Sequence, residues 1–396
     1  MPDADPKLST LGGTRRRWAH LAGWALAAVG VAGAAVAILV DRTAARAAAD
    51  QVWSPFVLVA GLLLVGLVAD DDGLFSAVGH RLARVAPNGS VLFAGAVALI
   101  AAVTAVLNLD TSVVFLTPVL VYAAKSRGQG EAPLLVGVIL LSNAASLLLP
   151  GSNLTNLIVL GQLHLSGGQF FGRMVLPWAG SVLVTAGVIA VAERRTLGGS
   201  RKGPPPPGPA PAPVTFGLGL VAVLAVTILI VVLRSPALPV AGIGVLVVAV
   251  RVLNRRERIS RVLTVLGVPV LVGLFGVATA LGTVGRAWSG PSNLLSHLDT
   301  VGTAVVAAGS AVVFNNLPAA SLLSSRVPPH PFSLLIGLDI GPNLFVTGSL
   351  AWVLWRRTVI SAGSKPPVRR AILLGLVSVP LAMAAALGLL ALTGHS

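Results

Sequence analysis

Apolar runs recur along the chain at residues 20–40, 52–69, 91–124, 133–163, 175–192, 216–233, 240–250, 262–284, 301–323, 332–355 and 371–392. A helix needs about 20 predominantly apolar residues to cross a bilayer. Most of these runs are long enough to cross as single spans. Four of them, 91–124, 133–163, 301–323 and 332–355, are instead interrupted near the middle by polar residues. Residues 74–86 alternate apolar positions with His80, Arg81 and Arg84, the pattern of an amphipathic helix lying at the membrane surface. The pattern predicts an all-α polytopic membrane protein.

The first run follows Arg15, Arg16 and Arg17 as a leader peptide would, and the Ala-rich stretch 44–49 imitates a cleavage site. Its length exceeds a leader's apolar region and suits a full span. Between the halves, residues 194–214 include a Pro-rich run, which favours extended backbone and a spacer role. The predicted organisation is a tail and first helix (1–51), a first repeat (52–193), a cytoplasmic linker (194–214) and a second half (215–396).

Charge orients this plan. The net charge of +15 could suggest nucleic acid, but the Lys and Arg residues occupy short loops between apolar runs. That is the positive-inside pattern, and no nucleic-acid partner follows from it. The basic loops 194–202, 251–261 and 356–370 all reach the cytoplasm only if 91–124 and 301–323 dip into the membrane and return. The first hairpin then enters from the cytoplasm and the second from outside. The N-terminus is predicted inside and the C-terminus outside, in a cell's inner (plasma) membrane. Arg42, Arg46, Arg234, Arg286 and Arg326 are exceptions to the bias.

The halves echo each other. Leu134-Leu135-Val136-Gly137 matches Leu334-Leu335-Ile336-Gly337, and Asn143 and Asn343 follow at equal spacing. With opposite inferred orientations, these echoes predict inverted-topology repeats, each with a re-entrant hairpin (about 91–124 and 301–323) and a broken helix (about 133–163 and 332–355).

The breaks carry the candidate chemistry. Pro150, Gly151, Pro318, Gly341, Pro342 and Gly348 are the residues expected to interrupt the helices. Unwound backbone at membrane depth is tolerated only where it is buried in protein or lines a cavity. Exposed helix ends there, with Asn108, Thr111, Ser112, Asn143, Ser152, Asn153, Thr155, Asn156, Asn315, Asn316, Asn343, Thr347 and Ser349, can hold a small polar solute or oxyanion. The bland alternative is kinks whose Asn and Ser side chains join neighbouring helices. Asp110 and Asp339 are the acidic residues near mid-membrane, where a charge costs roughly 3 kcal/mol on insertion scales. One or both are expected to carry a coupling H+ or Na+; the alternative is a carboxylate capping a half-helix.

Other chemistry is not encoded. With no cysteine, the chain has no thiolate ligand or nucleophile. Its six histidines lack metal-ligand spacing, so no metal or cofactor is expected. Ser152 has no His or acid partner at its depth, and no phosphate loop is present, which argues against an enzyme. Asp70, Asp71 and Asp72 are expected to form a solvated helix end.

At the breaks the chain resembles the arsenical pump membrane protein family. That family lies within the ion-transporter superfamily, with NhaD-type Na+/H+ antiporters and di- and tricarboxylate transporters. The resemblance runs from about residue 52 to 355. It rests on Val68-Ala69-Asp70-Asp71-Asp72-Gly73-Leu74-Phe75, the segment 108–118, Ala144-Ala145-Ser146-Leu147 with Ser152-Asn153-Leu154-Thr155-Asn156, Asn315-Asn316-Leu317-Pro318, and Gly337-Leu338-Asp339-Ile340-Gly341-Pro342-Asn343 with Gly348-Ser349-Leu350-Ala351. It implies proton-driven export of arsenite or antimonite, largely neutral trihydroxides at pH 7. A homodimer is implied by the superfamily, and a soluble ATPase partner by family analogy alone. Family members usually carry Lys where Asn343 stands and an Asn-Asp pair where this chain has Asn108-Leu109-Asp110; a further N-terminal span common in the family has no counterpart in this reading. Three functions follow: a metalloid exporter, a Na+/H+ antiporter or small-carboxylate transporter using the same site, and, from another class, a channel or non-transporting scaffold. A channel would show rings of charge, which this pattern lacks.

Overall fold

The computed structural model describes residues 6–394 apart from 162, 164, 199–216 and 255–256, with side chains from Gly23 onward. The described residues are helical, joined by turns. Six helical stretches are long and apolar enough to cross a membrane. Most of the Pro-rich linker falls outside the described residues. Its first residues do not behave as a spacer: Arg194–Leu197 (α9) is helical, and Leu197 is buried.

In the first half, α1 (Pro6–Val40) leads into α2 (Arg42–Asp71), which starts ten residues before the apolar run because Asp41 caps it, accepting from Ala44 N at 2.9 Å. The surface helix α3 (Leu74–Val85) falls where its amphipathic pattern places it. A helix pair follows, α4 (Gly89–Val106) and α5 (Leu109–Ser126). Next comes the broken segment α6 (Ala132–Ala145), a 3-10 turn (Pro150–Ser152) and α7 (Leu154–Leu160), then the long α8 (Gly167–Ala192).

The second half opens with α10 (Leu218–Val232) and α11 (Ala237–Leu253). The run 262–284 is not one helix. Gly267, at φ 57°, turns the short surface helix α12 (Ile259–Leu266) into α13 (Val268–Ala287). After α14 (Gly290–Ser296) come the pair α15 (Thr300–Phe314) and α16 (Asn316–Leu323), and a second broken segment. That segment is α17 (Pro331–Ile340), a 3-10 turn (Gly341–Leu344) and α18 (Leu350–Ser361); α19 (Val368–Leu392) closes the fold.

Small residues set the closest helix contacts. A Cβ at Gly30 or Gly276 would strike backbone across the α1–α13 contact, and one at Gly61 or Gly244 would do so across α2–α11. Close backbone approach of this kind replaces the missing hydrophobic drive between helices in lipid.

The two pieces of each broken segment pack in different cores. Leu154, Ile158 and Val159 of α7 join the cluster of α16 and α17 in the other half. Ala351, Trp352, Trp355 and Val359 of α18 join that of α5 and α6, where Trp355 Nε1 donates to Leu135 O at 2.9 Å. The halves therefore exchange their post-break helices, and the two unwound segments meet where the exchange occurs.

The acidic end of α2 is not a solvated helix end. Asp72 is buried; its Oδ2 accepts from Gly219 N at 2.7 Å, and it pairs with Arg251. Arg261 pairs with Asp71, with Glu257 at 2.8 Å and with Asp70 at 3.6 Å. A buried carboxylate needs such partners. These bonds tie α2 to the start of α10, the end of α11 and the surface helix α12.

Candidate solute site at the crossing of the two breaks

Each helix pair turns at an asparagine. Asn108 (φ 146°) and Asn315 (φ 74°) are the non-glycine residues with positive φ among the described residues. With ψ of 173° and 148°, both lie in the extended positive-φ region that is essentially glycine's, so the backbone is strained at each turn. The Asn108 Oδ1 accepts from Thr111 N at 2.7 Å and caps α5, and Asn315 Oδ1 takes Leu317 N at 3.5 Å. Asn315, not Pro318, makes the turn of the second pair. Pro318 sits in the first turn of α16, where its missing N–H costs nothing.

The two broken segments restart alike. Asn153 (φ −149°, ψ 144°) and Ser349 (φ −149°, ψ 157°) are the N-cap positions of α7 and α18. Three residues on, Asn156 Nδ2 donates back to Ser146 O at 2.7 Å, and Trp352 Nε1 donates back to Pro342 O at 2.9 Å. In both, a side-chain donor satisfies a carbonyl that the break has freed.

Side chains from the two halves meet between the breaks. Asn143 Nδ2 donates to Asn343 Oδ1 at 2.9 Å, and Asn343 Nδ2 reaches Leu140 O at 2.8 Å. Asp339, fully buried on α17, accepts at Oδ1 from Asn153 Nδ2 at 2.9 Å and Thr155 Oγ1 at 2.5 Å. Its Oδ2 has no partner among the described residues. Ser152 Oγ donates to Ala105 O at 3.0 Å and accepts from Leu149 N at 3.2 Å.

Beside this knot lies a cavity of about 110 Å³. That is several times the ~10–15 Å³ one water requires. Asp110, Asn153, Thr264, Asn315, Asn316, Ser349 and Arg357 supply its polar lining, and α2, α12 and α13 most of its apolar wall. Asp110 Oδ1 and Ser349 Oγ are buried without a partner. Arg357, about 12 Å along α18 from Ser349 at 1.5 Å per residue, is the basic residue of the lining.

The predicted site residues thus divide. Asp110, Asn153, Asn315, Asn316 and Ser349 face the cavity. Asn108, Thr111, Ser112, Asn143, Ser152, Thr155, Asn156, Asn343 and Thr347 do not line it; Asn108 caps α5, Ser112 meets Ser142 of α6, Thr111 Oγ1 is buried without a partner among the described residues, and the others tie the breaks internally, to each other or to neighbouring helices. Thr347, for example, donates to Val312 O at 2.6 Å and accepts from Asn315 Nδ2 at 3.2 Å. Asp339 stands behind Asn153, out of the lining. Among the described residues no cluster of His, Asp or Glu could hold a metal. The sequence reading missed the apolar wall of Val59, Leu63, Leu266, Val270 and Leu274, which periodicity cannot distinguish from lipid-facing positions. It also missed Arg357. The one advance signal for the wall was Gly267 ahead of Pro269.

Comparison with known proteins agrees with this architecture. A family model described as "Citrate transporter" matches residues 16–354. An arsenical pump membrane protein of Escherichia coli is 25% identical over 340 residues, covering 77% of this chain and 78% of that protein. The one from Yersinia enterocolitica is 24% identical over 334 residues, with the same coverage. Among solved structures, the crystal structure of the Alcanivorax borkumensis YdaH transporter superposes with a TM-score of 0.51. It is 14% identical and covers 88% of this chain and 87% of that one. At that identity the likeness concerns fold.

Proposed function

The chain belongs to the citrate transporter family of the ion-transporter superfamily, a family of membrane transporters and not of enzymes, and from that premise we propose that it is a proton-coupled exporter of arsenite or antimonite. The observation that carries the reading is the cavity beside the breaks, whose lining includes the unpartnered Asp110 Oδ1 and Ser349 Oγ. A neutral trihydroxide can donate its hydroxyls to Asp110 and to the carbonyl oxygens of Asn153, Asn315 and Asn316. A free polycarboxylate would meet a like charge at the same place. Identity to the arsenical pump membrane proteins supports the same substrate.

In this reading the α4–α5 and α15–α16 pairs are re-entrant hairpins of two inverted repeats, and the basic loops lie in the cytoplasm. Asp110 is the coupling residue because it faces the solute, whereas Asp339 holds the first break through Asn153 and Thr155. A second reading, uptake of a small carboxylate, rests on Arg357 in the cavity lining and on the family model's own description.

The test is growth of a metalloid-sensitive host expressing the chain, with membrane insertion confirmed. Raised arsenite or antimonite tolerance that Asp110→Asn removes is the expected outcome. Unchanged tolerance, with citrate uptake into vesicles that Arg357→Gln abolishes, would establish the carboxylate reading instead.

A further inference from the structure

A second cavity, of about 570 Å³, lies between the end of α8 and the start of α19, lined by Val191, Ala192, Arg194, Arg195, Thr196 and Arg370. The two helices run antiparallel. A Cβ at Gly180 of α8 would reach Leu389 and Ala385 of α19, while Glu193, just past α8, pairs with Arg370 near the other end. Glu193 is buried, and Arg370 Nη2 donates to its Oε2 at 2.6 Å. Burial lifts the Glu193 carboxyl above its ordinary value, and Arg370 opposes that lift.

The Glu193 carboxylate is taken by Arg370, and Glu131, next to the Gly130 that packs on Thr196, pairs with Lys125 at 3.6 Å. Arg194 and Arg195 are exposed and form no ion pair among the described residues. The segment that follows, residues 199–216, contains Arg201 and Lys202 and neither Asp nor Glu, so it cannot neutralise them. An apolar surface adjoins the guanidinium groups along the same helix pair. Val191 is 68% exposed on α8, as are Leu373 and Leu376 at 53% and 52% on α19.

Guanidinium groups above an exposed apolar helix face suit one kind of ligand: a phosphate group carried on acyl chains. We propose that this cavity binds the phosphate of an anionic phospholipid, with Arg194 and Arg195 as its ligands and the acyl chains along Val191, Leu373 and Leu376. A free phosphate offers the same oxygens without the chains, so the test separates the two sources.

The full-length protein, purified in a neutral detergent, is titrated with phosphatidylglycerol, phosphatidylcholine or inorganic phosphate, and adducts are read by native mass spectrometry. Phosphatidylglycerol is expected to bind well above phosphatidylcholine, and equimolar inorganic phosphate is expected not to displace it. The exposed pair of changes R194Q/R195Q should weaken phosphatidylglycerol binding about tenfold, a few-fold per guanidinium. The control R81Q/R84Q on α3 should leave it unchanged. Equal retention of the two lipids, or equal loss from the α3 control, would overturn the site in favour of diffuse charge attraction. Displacement by inorganic phosphate would overturn the lipid as its ligand.

Discussion

The two breaks are built alike at their ends and held differently between them. In the first, Pro150, Gly151 and Ser152 are buried beneath α10, with Ile230 packed over Gly151. Side chains close it: Ser152 onto Ala105, Asn156 onto Ser146 and Leu149, and Asn153 and Thr155 onto Asp339. In the second, Phe345 and Thr347 are exposed, and the Ser349 hydroxyl has no partner. The neighbouring helix pair holds it, with Asn316 N donating to Gly348 O at 2.9 Å, Asn315 Nδ2 to Thr347 O at 3.2 Å and Thr347 Oγ1 to Val312 O at 2.6 Å. The lesson is that one unwound segment has no exposed residue, while its counterpart has exposed residues and keeps one free hydroxyl beside a cavity. The buried polar atoms of the cavity lining that have no partner are the Ser349 hydroxyl, on the second break, and Asp110 Oδ1.

This contrast can be broken most decisively at the two aspartates. Asp110→Asn is expected to reduce proton-driven flux in everted vesicles to background, with insertion and thermal stability unchanged. Loss of stability instead of flux would make Asp110 a helix cap only. Asp339→Ala should act the other way. It strands the donors of Asn153 and Thr155 in a dry site, at about 1–3 kcal/mol each, read as a lower midpoint of thermal unfolding in detergent. If Asp339→Asn uncouples flux from the pH gradient without loss of stability, the division of roles between the two acids is wrong.

Glycine substitutions sharpen the comparison at smaller scale. A Cβ at Gly375 would collide with the backbone carbonyl of Asn343, whereas one at Gly151 meets only the tip of Ile230 at 3.1 Å. Gly375→Ala should therefore destabilise by roughly 1–3 kcal/mol as an overpacking change, and Gly151→Ala by less than half as much, both by the same unfolding measurement. Last come the serines. Ser152→Ala removes a hydroxyl with two bonds and should cost about 1 kcal/mol of stability with flux intact. Ser349→Ala should leave stability unchanged and raise the substrate concentration for half-maximal flux.

Much of this was legible in one dimension. The polar residues inside apolar runs located all four interruptions within a few residues, because Asn, Gly and Pro at membrane depth have few other uses. The alternation of apolar and basic residues placed α3. Pro318 misled because a proline at a helix start and a proline at a break look the same in sequence. Asp70, Asp71 and Asp72 misled because their partners, Arg251, Arg261 and Gly219, lie about 150–190 residues away and only packing brings them together.

The order of apolar and polar residues by itself determined a helical membrane protein with interrupted runs, since burial of backbone polar groups in lipid leaves almost no other choice. The tertiary structure alone decided which polar residues face a cavity and which bond one another. That outcome depends on α7 and α18 each packing in the other half's core, an exchange set by long-range shape complementarity rather than by any local pattern.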